Sequence, residues 1–455
     1  MIENKIPAYF DANENPDRFS KSFNGFPLAK VFEYMNTNLQ SLVLTTDNAD
    51  NFLLPLSVSD DKFELFKNVD ITTEIFFYPI GIHWWYSENI NTQNNIFKQC
   101  LEINPDIVQA VNDNRCKIIL YNPFEGWEES FWQKIVDLII EKYNTFDIED
   151  FIVISNNINI KKIKSIALVD NQQFEQSSGH FNNFDDLHHY IKQSIVNKIT
   201  RPYKFVALMR RPRPTRWAIM TELFDDRDKG LMSFSIDIDP IDLPADSAEM
   251  LNDDYATAIR NDFFVPGSSV NRLLIDFDQA YPHLYDKFFQ KGFFMHVPFW
   301  IPNDVNPKLN PKKDNSIFKF TDSYLHIVSE TYFRNQHANH LHFSEKIFKP
   351  IWYLQPFVLF ANTGALYNFT RLGYKSFSQW IDETYDQIHD DTERFNAAIN
   401  AAKNFYLQSD EKLNDIMLEM LPTLLHNFQV LQHNQKNQTQ FLIENLAQLS
   451  DSESD

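Results

Sequence analysis

An unusual density of arginine marks the stretch MRRPRPTRW. It lies between an apolar run, Phe205 to Met209, and a predicted helix, and its arginines are Arg210, Arg211, Arg213 and Arg216. The start of a helix already carries partial positive charge and free N–H groups, so cations gathered there are unfavourable until an anion or carboxylates neutralise them. Guanidinium groups bind phosphate oxygens through two N–H groups at once. The cluster therefore predicts a phosphate or diphosphate site, with pairing to the chain's own carboxylates as the alternative.

A second group of polar residues lies between Leu325 and Gly364. Glu330 follows a predicted strand. Glu345 and Lys346 stand at the start of a predicted helix that Ser344 can cap. A carboxylate can accept hydrogen bonds from both hydroxyls of a ribose, and a helix N-terminus beside an ammonium group suits a phosphate. The alternative is that Ser344 is only an N-cap and that Glu345 only complements the helix dipole.

Composition limits the classes of function. Among 455 residues, 41 Lys and Arg face 62 Asp and Glu, and the net charge of −21 argues against broad nucleic-acid or anionic-membrane binding. There are 9 glycines and neither GxGxxG nor GxxxxGK[ST], which disfavours dinucleotide dehydrogenases and P-loop enzymes. Cys100 and Cys116 are too few for a disulfide framework. Without an export leader or a long apolar run, the sequence predicts a cytoplasmic protein that has no membrane partner.

The elements that position these residues are expected to be those of α/β domains. Short apolar runs alternate with amphipathic stretches, which implies parallel strands joined by right-handed helical crossovers. The predicted strands cover residues 117–121, 151–155, 205–209, 324–328 and 357–360, and predicted helices cover 127–143, 187–196 and most of 386–449. Thr215 is expected to cap the helix after the arginines. A polar stretch from Asn171 to Thr200 indicates a domain boundary.

Three stretches resemble GT-B glycosyltransferases. HFSEKIFKPI followed by QPFVLFANTGAL is similar to the donor-binding motif of α-1,3-fucosyltransferase-like and exostosin-like enzymes. MRRPRPTR and GYKSFSQWIDETYD are similar to stretches of phage and large-virus glycosyltransferases, and the three occur in the same order between Lys204 and Phe395. Two departures are Thr215, where the viral sequences usually have His, and Pro350, which lies inside a predicted helix. A proline there costs about 3 kcal/mol unless the helix kinks or restarts.

The resemblance implies an α/β protein of the GT-B type, with two Rossmann-like domains facing a cleft and a helical C-terminal region. The implied domains are an acceptor-side domain over 1–200, a nucleotide-sugar-binding domain over 201–385, helices over 386–449 and an acidic tail over 450–455. Carried over by position, Glu345 would hold the ribose, Lys346 and Arg216 the diphosphate, and Glu330 would line the donor pocket. Arg210, Arg211 and Arg213 are further donor-binding candidates. No cofactor is implied beyond the nucleotide-sugar donor.

The implied reaction is an inverting transfer to a hydroxyl, which needs a general base. In fucosyltransferase-like enzymes, this base is expected to be a carboxylate of the N-terminal domain. Glu125 is the first candidate, because it follows the strand at 117–121 and ligands of open α/β sheets bind at the carboxyl ends of strands. Glu128 is the second. The alternative is that these acids only favour the start of the following helix.

Metal binding is the competing interpretation of two patterns. His337, His340 and His342 are close together, but their spacing matches no known metal site, which favours a polar loop. Asp237 and Asp239 form the DxD with which metal-dependent GT-A glycosyltransferases hold a cation at the diphosphate. We expect no metal ion, and loss of activity on chelation would favour the DxD.

Other interpretations concern the partners. A catalytically inert protein that binds a nucleotide-sugar or a glycan could share the scaffold. The expected acceptor is a glycan or another hydroxyl compound. The viral resemblance also allows a modified DNA base, although the net charge of −21 makes extensive contact with a duplex unfavourable.

Overall fold

The computed structural model describes residues 6–7, 66–67, 75–81, 103–122, 127–167, 184–209, 213–234, 269–284, 320–334 and 341–451. The chain is a mixed α/β protein that divides into two compact units. Unit 1 comprises Met1–Glu175, Asn339–Ser344 and Gln432–Asp455. Unit 2 comprises Gln176–Ala338 and Glu345–Leu431.

Unit 1 contains a parallel sheet of four described strands in the order β3-β4-β5-β6. The strands are β3 (Phe76–Gly81), β4 (Cys116–Asn122), β5 (Phe151–Ser155) and β6 (Lys164–Ala167), and a separate parallel pair consists of β1 (Ile6–Pro7) and β2 (Phe66–Lys67). Helix α1 (Pro105–Asn112) precedes β4, and α2 (Glu129–Lys142) joins β4 to β5. Each described strand of the sheet lies beside its neighbour in sequence, as expected when short helical crossovers return the chain to an adjacent position.

The apolar periodicity of α2 explains how this helix covers the sheet. Trp132, Ile135, Val136 and Ile139 recur at helical spacing and are all buried. They pack in one core with Ile118 and Leu120 of β4 and with the apolar residues of β5. A short 3₁₀-helix, Ile148–Asp150, leads into β5 and is held by a capping box between Asp147 and Asp150.

Unit 2 contains a second parallel sheet of four described strands, in the order β10-β9-β7-β8. The strands are β7 (Tyr203–Met209), β8 (Gly230–Phe234), β9 (Ser323–Ser329) and β10 (Phe357–Phe360). The chain passes from β7 to β8 on one side and returns to place β9 on the other side of β7. The direction of strand order therefore reverses between β7 and β9.

Unit 2 also contains helices, some of which pack on this sheet. They are α3 (Phe184–Val196), α4 (Pro214–Leu223), α5 (Ser269–Ala280), α6 (Glu345–Trp352), α7 (Ala365–Arg371), α8 (Asp391–Tyr406) and the start of α9 (Asp410–Asp451), with 3₁₀-helices at Phe224–Asp226 and Thr384–Gln387. Helix α8 packs against β9 and β10. Rings of Phe333, Phe360 and Phe395 meet there, with centroids 5.8–6.3 Å apart. Aromatic packing thus fixes the helix against the ends of these strands.

Helix α9 passes from one unit to the other. Its apolar stripe, Leu413, Ile416, Met417, Met420 and Leu424, is buried as expected from the sequence. The residues through Leu431 belong to unit 2, and those from Gln432 belong to unit 1. Residues of this one helix therefore belong to both units. The helix reaches Asp451, and the remainder of the predicted acidic tail lies outside the described residues.

The expected cap at Thr215 is wrong. Helix α4 begins at Pro214, with Arg213 at the N-cap position and no side-chain cap hydrogen bond. Proline at the first helical position has its φ preset and lacks the N–H that would be unsatisfied there, so it starts the helix before Thr215. The Thr215 hydroxyl instead lies 2.9 Å from the hydroxyl of Tyr281, to which it is hydrogen-bonded.

Among the described residues, no helix combines the length and apolar character needed to cross a bilayer.

One strand pairing requires a glycine. Gly230 of β8 lies opposite Phe205 of β7, and a β-carbon at this glycine would come within 2.4 Å of the Phe205 ring. We expect Gly230→Ala to lower the free energy of unfolding by about 1–3 kcal/mol, because the buried ring must leave its packed position. Denaturant unfolding would measure the change. Asp228→Ala, on the exposed turn before the strand, is the matched control, and equal stability of the two variants would contradict the steric explanation.

Candidate functional site

The candidate site lies at the carboxyl edge of the sheet in unit 2. Strands β7 and β9 are adjacent and parallel, with Val206 opposite His326. Their carboxyl ends therefore meet at one edge, at the point where strand order reverses. Open parallel sheets bind ligands at such a reversal. The arginine-rich turn follows β7, and Glu330 follows β9, so the topology brings together two groups that are far apart in sequence.

Arg216 provides the contact between these two segments. It lies in the first turn of α4 and is only 4% exposed. Its Nη2 donates to the carbonyl oxygen of Ser329 at 3.4 Å, and Ser329 directly precedes Glu330. Burial of a guanidinium group is costly unless acceptors surround it. Arg216 is therefore an internal part of the carboxyl edge and not a solvated surface cation.

Arg213 is the second arginine of the turn that the structure describes. Arg213 is half-buried at the N-cap of α4, and its carbonyl oxygen accepts a hydrogen bond from the backbone N–H of Trp217 at 3.0 Å. Arg210 and Arg211 lie outside the described residues. Two of the four arginines are thus placed at the start of the helix that leaves β7, where an anion would meet free backbone N–H groups.

Glu330 is buried at the junction of β9 and β10. It is 2% exposed, and its backbone N–H donates to the carbonyl oxygen of Phe360 at 3.0 Å. This hydrogen bond extends the pairing of the two strands by one residue beyond Ser329. The backbone of Glu330 is therefore fixed at this edge, one residue beyond the carbonyl that Arg216 contacts.

Helix α6 brings Glu345 and Lys346 to the same edge. It connects β9 to β10 and packs against both strands. In a crossover between parallel strands, the helix begins near the carboxyl end of the first strand, so α6 begins at this edge. Lys346 is half-buried in the first turn, whereas the side chain of Glu345 lies outside the described part. The helix continues through Pro350 to Trp352. The proline removes only the N–H that would otherwise bond the carbonyl of Lys346.

The candidate bases belong to unit 1. Glu125 lies outside the described residues. Glu128 is the N-cap residue of α2, where its side chain makes no cap hydrogen bond and instead accepts one from the Ser130 hydroxyl at 3.2 Å. The predicted donor-binding residues and the predicted bases thus stand on different units of the chain.

Sequence reasoning missed a buried amide at the carboxyl end of β5. Asn156 follows Ser155, which pairs with Asn122 at the end of β4. The Asn156 side chain is fully buried, and within the described structure neither of its polar atoms has a hydrogen-bond partner. Leaving such a group unsatisfied costs roughly 1–3 kcal/mol. Asn156 therefore lies at the same edge of the sheet as the carboxyl end of β4, the strand that precedes Glu125 in sequence.

Metal ligation finds no support in the side chains that are described. No three of the described His, Cys, Asp and Glu side chains are placed to hold a metal ion. His342 is buried, while His337 and His340 lie outside the described residues. Asp237 and Asp239 also lie outside them, so the DxD interpretation stays a prediction.

A buried arginine that sequence reasoning missed joins the loops after β9 and β10. Arg394 of α8 is 1% exposed. Its Nη1 donates to the Thr363 hydroxyl at 3.0 Å, and its Nη2 donates to the carbonyl oxygen of Phe333 and to Asp391. One guanidinium group therefore holds both loops at the carboxyl edge. The only local signal is the Asp391–Arg394 spacing on a helix, which is also common in exposed ion pairs.

Two further carboxyl groups lie beyond β10. Asp386 accepts hydrogen bonds from the backbone N–H groups of Leu366 and Tyr367 at 2.9 and 3.0 Å, and burial raises its pKa. Glu383 accepts one from the N–H of Phe377 at 2.8 Å. Burial raises the pKa of Glu383 to about 7, and the charge of Asp386 adds to this effect. A carboxyl group that is partly protonated at neutral pH can both donate and accept hydrogen bonds.

Comparison of the chain with protein-family models, with curated proteins and with solved structures finds no match. The resemblance to GT-B glycosyltransferases accordingly rests on the three sequence stretches quoted above. Any function assigned to the chain depends on those stretches and on the positions of its own residues.

The raised pKa of Glu383 predicts a pH-dependent stability. The folded state holds this proton up to about pH 7, whereas an ordinary glutamate releases it near 4.5, so the contribution to stability falls as pH rises through this window. Glu383→Gln, which resembles the protonated form, should match the wild type near pH 5 and melt at a higher temperature at pH 8. Thermal unfolding across this range would measure the difference.

Asp415→Asn is the matched control. The exposed Asp415 is hydrogen-bonded to Lys198, which lowers its pKa below the ordinary value, so it stays ionised throughout the tested range. Its substitution should change melting by the same amount at each pH. If Glu383→Gln also gave a constant difference, burial would not be shifting the titration of Glu383.

Proposed function

We propose that the chain transfers a sugar from a nucleoside-diphosphate donor to a hydroxyl acceptor, with unit 2 binding the donor in a GT-B arrangement. The observation that carries this proposal is the contact of the buried Arg216 with Ser329, beside Glu330, where β7 meets β9. It supplies a cation and a carboxylate at the ligand-binding edge of a parallel sheet. The two α/β units, each with its own parallel sheet, are compatible with such an arrangement.

The charge distribution favours a phosphorylated ligand of limited size. The chain has a net charge of −21, so a polyanion would be repelled over most of its surface. At the edge of unit 2, however, Arg213 and Arg216 stand at the start of α4, and Lys346 stands at the start of α6. Two helix starts with adjacent cations can neutralise a diphosphate. In this proposal, Glu345 accepts hydrogen bonds from the ribose hydroxyls.

The proposed chemistry is a displacement at the anomeric carbon. The acceptor oxygen forms a bond to this carbon as the bond to the diphosphate oxygen breaks, and the pair of electrons leaves with the nucleoside diphosphate. The acceptor proton passes to a carboxylate of unit 1, with Glu125 as the first candidate and Glu128 as the second. Arg216 and Lys346 stabilise the negative charge that develops on the leaving group.

Donor turnover is the direct test of this proposal. The full chain would be incubated with a panel of nucleoside-diphosphate sugars and simple glycan acceptors, and release of nucleoside diphosphate would be followed. We expect turnover with at least one donor, dependent on the acceptor and maintained in excess chelator. Binding without release would identify an inert nucleotide-sugar-binding protein, and strict dependence on manganese would favour Asp237 and Asp239 as cation ligands.

Arg216 should contribute directly to diphosphate affinity. Because Arg216 is buried, Arg216→Lys is preferred to Arg216→Ala. Lysine keeps the positive charge but cannot bind a phosphate through two N–H groups at once. We expect uridine or guanosine diphosphate to bind about tenfold more weakly, as measured by titration calorimetry. Arg227→Lys, beyond the other end of α4, is the matched control and should bind normally. Wild-type affinity in Arg216→Lys would remove this residue from the donor site.

The two units should contribute to different kinetic steps. Glu345→Ala is expected to raise the donor KM, because it removes binding shared by the ground and transition states. Glu125→Gln cannot accept a proton and should lower kcat by about 10²- to 10⁴-fold at an unchanged donor KM. Glu128→Gln is the comparison, with near-normal turnover expected from its contact with Ser130. Normal kcat in Glu125→Gln together with a loss in Glu128→Gln would exchange their roles.

A further inference from the structure

A cleft of about 600 Å³ lies in unit 2 beyond the carboxyl end of β10. Its lining includes Thr363 and Gly364 after the strand, Tyr367 of α7, and several residues between Ser376 and His389. A cleft of this volume accommodates a small organic molecule. Its lining shares no residue with Arg213, Arg216, Glu330 or Lys346, which form the candidate donor site.

Hydroxyl and carboxyl groups dominate the polar lining. The hydroxyls belong to Thr363, Thr370, Ser376, Ser378 and Thr384, and the carboxyls to Asp382, Glu383 and Asp386. The described residues that border the cleft include no lysine or arginine. Hydrogen bonds from Thr384 lower the pKa of Asp382, so this carboxylate is ionised at neutral pH and repels a phosphate or carboxylate ligand.

The carboxyl groups are held in place by hydrogen bonds but keep unused acceptor capacity. Asp382 accepts from the backbone N–H and the hydroxyl of Thr384 at 3.1 and 2.6 Å through a single oxygen, Oδ1. Glu383 accepts from the backbone N–H of Phe377 through Oε1. Each carboxylate has about four lone-pair sites. These groups can thus receive hydrogen bonds from ligand hydroxyls without giving up the bonds that position them.

Tyr367 gives the cleft an apolar side. It is 65% exposed, an unusual position for an aromatic ring among the described residues, where most phenylalanine rings are buried. Its backbone N–H is bound by Asp386, which fixes the start of α7 while the ring remains open to solvent. An aromatic ring beside hydroxyl and carboxyl groups matches a molecule with C–H groups on one face and hydroxyls around its rim.

We propose that this cleft binds a neutral carbohydrate, through hydrogen bonds from the sugar hydroxyls to Asp382 and Glu383 and through packing of the sugar ring on Tyr367. The site goes beyond donor binding and requires neither a nucleotide nor turnover. It would give unit 2 a second sugar-recognising surface at the carboxyl edge of its sheet. Arg394 donates to Thr363 in the lining of this cleft and to Phe333, and thereby links the cleft to the loop after β9.

Saturation-transfer NMR of the full chain with free monosaccharides tests the proposal. Glucose, galactose, mannose, fucose and N-acetylglucosamine would be titrated separately, first alone and then with saturating uridine and guanosine diphosphates. We expect saturable binding of at least one sugar that persists in the presence of the nucleotides. Tyr367→Ala should weaken it by about tenfold, and Ser378→Phe, which places a ring in the cleft from an exposed position, should abolish it.

Tyr190→Ala is the matched control, because Tyr190 is a partly exposed tyrosine of the same unit outside the cleft. It should bind sugar as the wild type does, and all three variants should keep the wild-type melting temperature. Three results would overturn the proposal: no saturable signal from any of the sugars, binding that survives both cleft substitutions, or binding that is lost on addition of a nucleoside diphosphate. The last result would place the sugar in the donor site, and none of them depends on whether the chain turns over a donor.

Discussion

The pairing of β7 with β9 is the constraint on which the organisation of unit 2 depends. These strands are separated by the whole of β8 and more than one helix, yet Tyr203, Phe205 and Val206 lie opposite residues of β9. Because both strands run in the same direction, everything that follows them emerges at one edge. The arginine turn, Glu330 and the start of α6 meet there for this reason alone. If β9 paired instead with the far side of β8, the sheet would contain the same strands, but the segments that follow β7 and β9 would be separated.

Buried guanidinium groups recur at this edge. Arg216 and Arg394 are nearly inaccessible to solvent, and both donate to backbone carbonyl oxygens of the segment that includes the end of β9 and the loop after it. A buried arginine can fix several segments at once, as Arg394 does, because its five N–H groups lie in a rigid plane. It also makes the edge sensitive to conservative replacement, since lysine offers a single donor atom on a flexible stem. The edge that carries the candidate site is thus held by polar contacts over an aromatic core.

Local pattern predicted several of the elements but not their assembly. Continuous apolar runs predicted β5 and β10 with the bounds that the structure has, and the stripe on α9 is buried as expected. Thr215 was misassigned because Pro214 starts the helix by itself, which outweighs the preference of threonine for a cap. Strand order and the burial of Arg394 depend on contacts between distant segments. The raised pKa of Glu383 depends chiefly on its burial in the folded chain, which the residues around it in sequence do not reveal. For a similar reason, the sequence did not predict that Asp386 and Glu383 line a cleft.

Helix α9 has a consequence for the order in which the chain can fold. Unit 1 includes the N-terminal stretch and also the residues from Gln432 onward, whereas unit 2 is complete at Leu431. During synthesis, the second unit in sequence can therefore finish its core while the first still waits for the end of α9. Proteins usually fold their N-terminal domain first, as it leaves the ribosome. Here unit 1, although it begins first in sequence, is completed only when the residues from Gln432 onward, including the buried Leu442 and Leu446, have been made.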